Sequence, residues 1–304
     1  MVYASRLGSH VATVALKYAV QWFRTARILR REDPDVVFVM TPPVFAAMPA
    51  FWYGWRRRKP VVLDAHTCAF VLPRWSSLQW LQRVLCRRAA TTLVTNQHIG
   101  GLVQAADGDA TLVPDVPVIF PAGGRFARET TLTVVVVCSF DVDEPLSAMV
   151  DAAKSLQDVQ FFVTGDPSSL PDSTKASLPR NMTLTGFLNT ADYGTMISNA
   201  DAVMDLTTHD HTMLRGAYEA IYQGVPVIVS DWPLLRQAFP FGALHVDNTP
   251  DAIARAVRKL QHNLVLYRTD AERLRRVKLQ RWQTIRAVIL TKLGAASNVD
   301  RIDS

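Results

Sequence analysis

The chain alternates between short apolar runs and longer segments with apolar residues at helical spacing. The runs at 35–40, 132–139 and 225–230 are rich in β-branched residues, which is typical of strands buried on both faces of a parallel sheet. A Pro- and Gly-rich piece at 114–124 interrupts this alternation, which then starts again. The pattern predicts an α/β protein with two doubly wound, Rossmann-like halves and a cleft between their carboxyl edges.

The same pattern sets the expected domain limits. We predict a short N-terminal domain over 1–124, a second domain over 125–262, basic C-terminal helices over 263–292 that pack back toward the first domain, and a flexible tail over 293–304. Residues 9–31 read as an amphipathic helix, and the first acidic residue of the chain is Glu32. The N-terminal domain is therefore expected to open on a basic helix.

Composition excludes several classes of protein. A 49% hydrophobic content with 20% charged residues argues against disorder. Three scattered cysteines give no disulfide framework and no metal-ligand spacing, so no metal site is expected. The apolar run at 42–55 is shorter than the roughly 20 residues that cross a bilayer, and no signal peptide is evident. These features predict a cytoplasmic protein.

Charge is divided unevenly along the sequence. Residues 1–125 carry a net charge of +8, residues 126–254 carry −10, and residues 255–304 carry +8. If the two basic portions pack together, they form one basic body, and such a body favours an anionic surface as partner. No helix-turn-helix, zinc-finger or RNA-recognition pattern supports nucleic acid, so the expected surface is a membrane.

The stretch 207–231 (TTHDHTMLRGAYEAIYQGVPVIVSD) combines a polar turn, a predicted helix over 213–222 and a strand. The start of a helix between two parallel strands faces the carboxyl edge of the sheet. Its unpaired N–H groups and the helix dipole favour a bound anion there. We therefore expect Thr212, Met213 and Leu214, with Arg215, to hold a phosphate, while Glu219 accepts hydrogen bonds from sugar hydroxyls.

Several segments of the second half resemble the donor domain of GT-B glycosyltransferases of the GT4 type. They are VTGDP at 163–167, TLTGFLNTADY at 183–193, SNADAVMDLT at 198–207 and EAIYQGVPVIVSD at 219–231. The resemblance implies a nucleotide-sugar donor such as a UDP- or GDP-sugar, with no other cofactor. It implies that Glu219 binds the ribose, that Ser139 and Gly165 contribute to donor binding, and that Phe187 flanks the base.

This sequence departs from the family pattern at three places. Folds of this family normally begin with a strand and a Gly-rich loop, whereas this chain opens on a basic helix, so the N-terminal domain is expected to be minimal or truncated. The family has two glutamates eight positions apart, and the first of them falls on His211 here. The segment CSFDVDEP at 138–145 supplies Ser139 and carboxylates where Arg and Lys are usual. Arg215, His209, His211 and His66 are the groups left to balance a pyrophosphate.

His66 follows a predicted strand, beside Asp64 and Thr67. The resemblance implies that His66 and His211 face the transferred sugar and act as the catalytic residues. The run FWYGWRRRK at 51–59 places aromatic residues beside cations, a combination that suits the headgroup level of an anionic membrane. We predict membrane contact by five residues of this run: Trp52, Trp55, Arg56, Arg57 and Arg58.

Together these features predict a glycosyltransferase, retaining and metal-independent, in surface polysaccharide or glycolipid assembly. Its acceptor is expected to be a lipid-linked or glycan acceptor at the inner face of the cell membrane. Two alternatives stay open. One is a sugar-nucleotide epimerase with the same fold, and the other is a catalytically silent module that acts as a partner or scaffold.

Overall fold

A computed structural model of the chain describes residues 14–71, 73–126 and 131–302. They belong to two compact units. The N-terminal unit comprises residues 1–114 and 283–304, and the C-terminal unit comprises residues 115–282. The first five residues of the helix predicted over 9–31 lie outside the described residues.

The N-terminal unit contains a four-stranded sheet in which all neighbouring strands are parallel, in the order β1-β2-β3-β4. Its elements in chain order are α1 (Val14–Glu32), β1 (Val37–Thr41), α2 (Val44–Arg57), β2 (Val61–Ala65), α3 (Cys68–Val71), α4 (Gln79–Arg88), β3 (Thr91–Val94), α5 (Gln97–Gln104) and β4 (Ala110–Leu112). Side chains of β2 alternate between the two faces of this sheet. Leu63 packs on one side with Leu85 and Ile99, and Val62 packs on the other with Ile289 and Leu293.

The C-terminal unit contains a six-stranded parallel sheet, in the order β10-β9-β8-β5-β6-β7. Its elements are β5 (Leu132–Val136), α6 (Leu146–Lys154), β6 (Val159–Thr164), α7 (Asp172–Ala176), β7 (Met182–Gly186), α8 (Thr190–Asn199), β8 (Ala202–Asp205), α9 (Arg215–Tyr222), β9 (Val227–Ser230), α10 (Pro233–Ala238), β10 (Ala243–Val246), α11 (Pro250–His262) and α12 (Leu264–Ile302). Helix α12 begins in this unit, and its residues from Gln283 onward belong to the N-terminal unit.

The core of the C-terminal unit lies on both faces of its sheet. Val134 and Val136 of β5 pack with residues of α6 and α11. Val135 faces the opposite layer, which includes residues of α8, α9, α10 and α12. Because both faces are covered, the strands are continuously apolar, as the sequence pattern predicts. The predicted pair of doubly wound α/β halves is confirmed.

The predicted start of one helix is wrong. The helix predicted over 213–222 begins at Arg215, since Leu214 before it has an extended backbone. The short helix α3 was not predicted, and α12 extends from Leu264 to Ile302.

Candidate functional site

The winding of the six-stranded sheet reverses at β5, which pairs with β6 on one side and with β8 on the other. In doubly wound sheets, ligands bind outside the carboxyl ends of the strands at such a point. A pocket of about 290 Å³ lies there, between the segment after β5, the segment after β8 and the start of α9. This position makes it the candidate site of the C-terminal unit.

The pocket brings together five of the residues that the sequence assigned to the donor: Ser139, Thr212, Met213, Leu214 and Arg215. They come from two segments about 75 positions apart in the chain, and the parallel pairing of β5 with β8 places those segments side by side. The guanidinium of Arg215 extends into solvent, with 84% of its side chain exposed.

Glu219 lies one turn into α9 and is buried, with 7% of its side chain exposed. Tyr193 of α8 donates its hydroxyl to one carboxylate oxygen at 2.8 Å, and Arg215 donates Nε–H to the other at 2.7 Å. Burial and the neighbouring Glu219 carboxylate raise the pKa of Tyr193, so its phenol stays protonated and donates. Each carboxylate oxygen keeps a second lone pair for another donor. Glu219 is thus oriented by its neighbours, with Arg215 linking it to the pocket.

Glu144 fills the turn that follows β5. Its carboxylate accepts hydrogen bonds from the backbone N–H groups of Ser139 and Asp141 at 2.9–3.0 Å and from the Ser139 hydroxyl at 3.0 Å. The Cys138 thiol also donates to it, at 3.0 Å. Successive N–H groups in such a turn form an anion-binding concavity. A carboxylate of the chain itself therefore occupies the place where Ser139 was expected to meet a phosphate.

Asp205, at the end of β8, occupies a second place where backbone N–H groups could bind an anion, namely the start of α9. Its carboxylate accepts the backbone N–H of Ala217 at 3.0 Å and lies under the start of α9. Burial raises the pKa of Asp205 to about 7, although hydrogen bonds from the Ala217 and Gly216 N–H groups act in the opposite direction. Near neutral pH this carboxyl group is therefore only partly charged, which lowers the negative charge under the pocket.

Two glycines keep the walls of the pocket close together. A Cβ on Gly165 would lie 2.0 Å from the Cys138 carbonyl oxygen, and the residue has a φ of +103°, so the turn after β6 requires glycine. A Cβ on Gly216 would lie 2.7 Å from the Val137 side chain. Gly165 thus affects the pocket indirectly, because it lets the turn after β6 pack closely against the segment that follows β5.

Three further predicted residues of the C-terminal unit, His209, His211 and Phe187, do not line the pocket. His211 has a left-handed backbone, with a φ of +60°, and its Nε2 lies 3.7 Å from the Asp210 carboxylate. His209 lies 3.9 Å from Asp143. Phe187 follows β7 and is 87% exposed, so its ring is free to meet a planar ligand.

His66 and the aromatic and basic run lie in the N-terminal unit. His66 is exposed directly after β2, where its backbone N–H donates to the Thr41 carbonyl at 3.0 Å. Trp52 and Trp55 belong to the last turns of α2, which ends at Arg57, and Trp55 is 78% exposed. Arg58 caps this helix in a left-handed conformation.

No group of three or more His, Cys, Asp or Glu side chains in the described part of the chain is arranged to hold a metal ion. Among the described helices, none combines the length and the apolar character that crossing a membrane requires.

Three residues with a direct effect on the site were not assigned to it from the sequence: Tyr193, Asp205 and Glu144. Tyr193 and Asp205 lie within segments that carry the family resemblance, and Asp205 ends a buried strand beside the helix start. A carboxylate at such a strand end was the available signal for Asp205. The contact of Tyr193 joins residues 26 positions apart and had no local signal.

Comparison with known proteins finds a family-model match to the first part of the chain and solved structures that share its fold. Residues 2–119 match the family model of the glycosyl transferase 4-like domain. No curated protein sequence matches the chain. HepE from Anabaena, solved in complex with UDP-glucose, is 15% identical with a TM-score of 0.66, and the match covers 90% of this chain and 82% of that chain.

Two further solved structures have the same fold. Sucrose-phosphate synthase from Thermosynechococcus elongatus is 14% identical with a TM-score of 0.69, over 95% of this chain and 81% of that chain. A putative UDP-N-acetylglucosamine 2-epimerase from Listeria monocytogenes is 14% identical with a TM-score of 0.60, over 87% and 76%. At these identities the likeness establishes a shared fold.

Proposed function

We infer that this chain, a GT-B fold glycosyltransferase whose residues 2–119 match the glycosyl transferase 4-like domain, moves a sugar from a nucleotide sugar to a membrane-held acceptor. The GT4-like, GT-B identity expected from the sequence is confirmed, and so is its classification as a transferase. The donor, the acceptor and the stereochemistry belong to the proposal. HepE, which has the same fold, was solved with UDP-glucose, and this favours a UDP-sugar as donor.

The observation that carries the proposal is the position of Glu219. It lies one turn beyond a pocket at the switch point of the sheet, and Tyr193 and Arg215 fix its carboxylate. A carboxylate held in this way can accept hydrogen bonds from two neighbouring ribose hydroxyls. Arg215 then lies between the ribose site and the pocket, where its exposed guanidinium can pair with a phosphate.

Breaking the glycosyl phosphate bond places negative charge on the departing nucleoside diphosphate. In our proposal the residues before α9, Thr212 to Leu214, and the Arg215 side chain stabilise this charge without a metal ion. Each well-placed donor contributes about 2–4 kcal/mol at the transition state. The acceptor hydroxyl attacks the anomeric carbon on the face from which the phosphate departs, so the transfer retains the anomeric configuration. The leaving phosphate takes the acceptor proton, and no side-chain base is required. His211 and His66 orient the transferred sugar.

The carboxylates of Glu144 and Asp205 oppose a bound diphosphate. They occupy the two backbone anion positions beside the pocket. This observation favours the second candidate function, a silent module of the same fold that acts as a partner or scaffold. The active transferase requires that Asp205 be protonated or that Arg215 and the histidines compensate the charge.

Incubation with UDP- and GDP-sugars, with and without a lipid-linked acceptor, followed by product analysis, tests the proposal. We expect acceptor-dependent transfer, and Glu219→Ala should lower the donor-dependent rate at least about tenfold with the fold intact. Arg255→Ser, at an exposed position of α11, serves as the control. Conversion of a UDP-sugar to its epimer without acceptor would identify an epimerase. No binding of UDP, GDP or ADP at millimolar concentration would identify the silent module.

A further inference from the structure

An apolar groove of about 840 Å³ crosses the N-terminal unit where α1, α2 and α4 meet. Its walls are mostly large apolar side chains, namely Trp22, Met48, Phe51, Trp52, Trp55 and Leu81. The volume lies in the range of pockets that enclose a small organic ligand. Soluble proteins rarely leave so many aromatic side chains around an open groove without a use for it.

A second hollow of about 500 Å³ adjoins the first through Trp52, which lines both. Three arginines line it: Arg30, Arg56 and Arg57. The Arg30 guanidinium lies over the Trp52 ring, 5.0 Å from its centroid. None of the three forms an ion pair with a described residue. Tyr53 also lines this hollow and donates its hydroxyl to Asp33 at 2.8 Å, so that carboxylate lies beside the arginines.

The two hollows together fit one kind of ligand. An apolar groove ending at three arginines matches a molecule with a hydrocarbon chain and an anionic head. Guanidinium groups pair with phosphate oxygens in a bidentate manner, and Trp52 can contact the chain on one side and hold Arg30 on the other. Arg88 lines the groove as well and adds positive charge, and Lys59 lines it while paired with Asp35 at 2.6 Å.

We propose that this groove binds the hydrocarbon chain of a single phosphate-bearing lipid, whose phosphate lies among Arg30, Arg56 and Arg57. The inference rests on the proposed function, because it supplies the chemical class of the membrane-held acceptor or of the lipid that retains the enzyme beside it. It differs from adsorption to a charged surface, since one lipid molecule enters a defined site and does so without a bilayer.

Titration calorimetry with decyl phosphate below its micelle concentration tests the proposal. Decanol and inorganic phosphate serve as the chain and the head alone. We expect saturable binding of decyl phosphate, at least tenfold tighter than that of decanol, and no measurable binding of inorganic phosphate. Trp55→Asp and the double variant Arg56→Ser/Arg57→Ser should each weaken binding at least tenfold. All three side chains are exposed, so the fold tolerates these changes.

Matched controls lie on α4, outside both hollows. Trp80→Asp replaces a tryptophan that is 65% exposed, and Arg83→Ser replaces an exposed arginine. Both should bind decyl phosphate like the unchanged protein. Absence of saturable binding overturns the proposal. Equal losses in the groove variants and the controls also overturn it, because they indicate general adsorption to the basic surface.

Titration of UDP into the unchanged protein gives a separate readout on the C-terminal unit. Decyl phosphate binding without UDP binding removes the proposed transferase function and keeps the groove as a lipid site. UDP binding and transfer without decyl phosphate binding remove the groove alone.

Discussion

Asp205 is the residue whose protonation connects the stability of the fold with the charge of the pocket. Burial raises its pKa to about 7, above the value of about 3.9 for an exposed aspartate. Between these values the folded chain holds the proton while the unfolded chain releases it. The resulting stabilisation is fully present below about pH 4 and is lost as the pH rises through 7.

We therefore expect the free energy of unfolding to fall by up to about 4 kcal/mol between pH 4 and pH 7 through Asp205 alone. Asp205→Asn keeps an oxygen that can accept the Ala217 N–H and has no proton to release. Urea denaturation at several pH values, with both proteins, measures the difference between their slopes. Equal slopes for the two proteins over this range would contradict the assignment.

A second prediction at the scale of one residue concerns the effect of Glu144 on ligand binding. Its carboxylate fills the backbone concavity at Ser139 and Asp141, and so repels a phosphate that approaches the same pocket. Glu144→Gln removes this charge and should tighten UDP binding several-fold, since like charges close together in a partly buried site cost about 1 kcal/mol or more. Calorimetric titration of UDP measures the change.

Asp141→Asn is the comparison variant, because it removes a carboxylate that lines the same pocket and accepts from the Ser139 hydroxyl at 3.3 Å but does not occupy the backbone concavity. It should tighten UDP binding less than Glu144→Gln does. Weaker UDP binding by Glu144→Gln would show that the carboxylate organises the turn for the ligand instead of competing with it.

At the scale of elements, a buried polar cluster joins the start of the C-terminal unit to α9 and α12. Lys278 of α12 pairs with Asp115 at 2.8 Å, and both side chains are over 90% buried. Tyr222 of α9 donates its hydroxyl to the other Asp115 oxygen at 3.0 Å. The Lys278 ammonium also lies 4.3 Å from the ring centroid of Tyr218. The cluster thus fixes the helix that carries Glu219.

Removing one partner of such a pair leaves an uncompensated buried charge. We expect Lys278→Met to destabilise the fold by about 3–5 kcal/mol. The double variant Lys278→Met/Asp115→Asn removes both charges and should recover much of the loss. Urea denaturation of the three proteins completes the comparison. A loss below about 1 kcal/mol for Lys278→Met would mean that the pair contributes little to stability.

At the scale of the whole molecule, charge is separated between the two units. The N-terminal unit has 17 Lys and Arg against 8 Asp and Glu, a net charge of +9, and the C-terminal unit has 16 against 19, a net charge of −3. The basic unit also carries the exposed aromatic and arginine side chains at the end of α2. This asymmetry favours attachment to an anionic surface through the N-terminal unit.

Flotation with vesicles that contain an anionic lipid measures this attachment. We expect bound protein at about 0.1 M salt and strong loss at about 1 M, where the Debye length falls from about 10 Å to about 3 Å. Arg56→Ser/Arg57→Ser should reduce binding. Arg255→Ser/Arg276→Ser removes the same charge from exposed positions of the C-terminal unit and should not. Binding that is independent of salt, or equally affected by both variants, would contradict the prediction.

The sequence by itself determined the order and type of most elements, because buried parallel strands and amphipathic helices leave their periods in consecutive residues. The apolar runs at 132–136 and 227–230 are strands, and the helix with Glu219 lies before the second of them. It also indicated a helix start within two residues of Arg215, since caps and turns are local. The GT4-like resemblance followed from the same local segments.

Only the tertiary structure decided what surrounds those residues. The contacts of Asp205 with Ala217 and of Tyr193 with Glu219 join positions 12 and 26 residues apart, and the left-handed Phe140 turns Glu144 back onto the strand end. The groove around Trp52 exists only where three helices meet. Such contacts depend on how elements pack against one another, and packing leaves no period in the sequence from which it could be inferred.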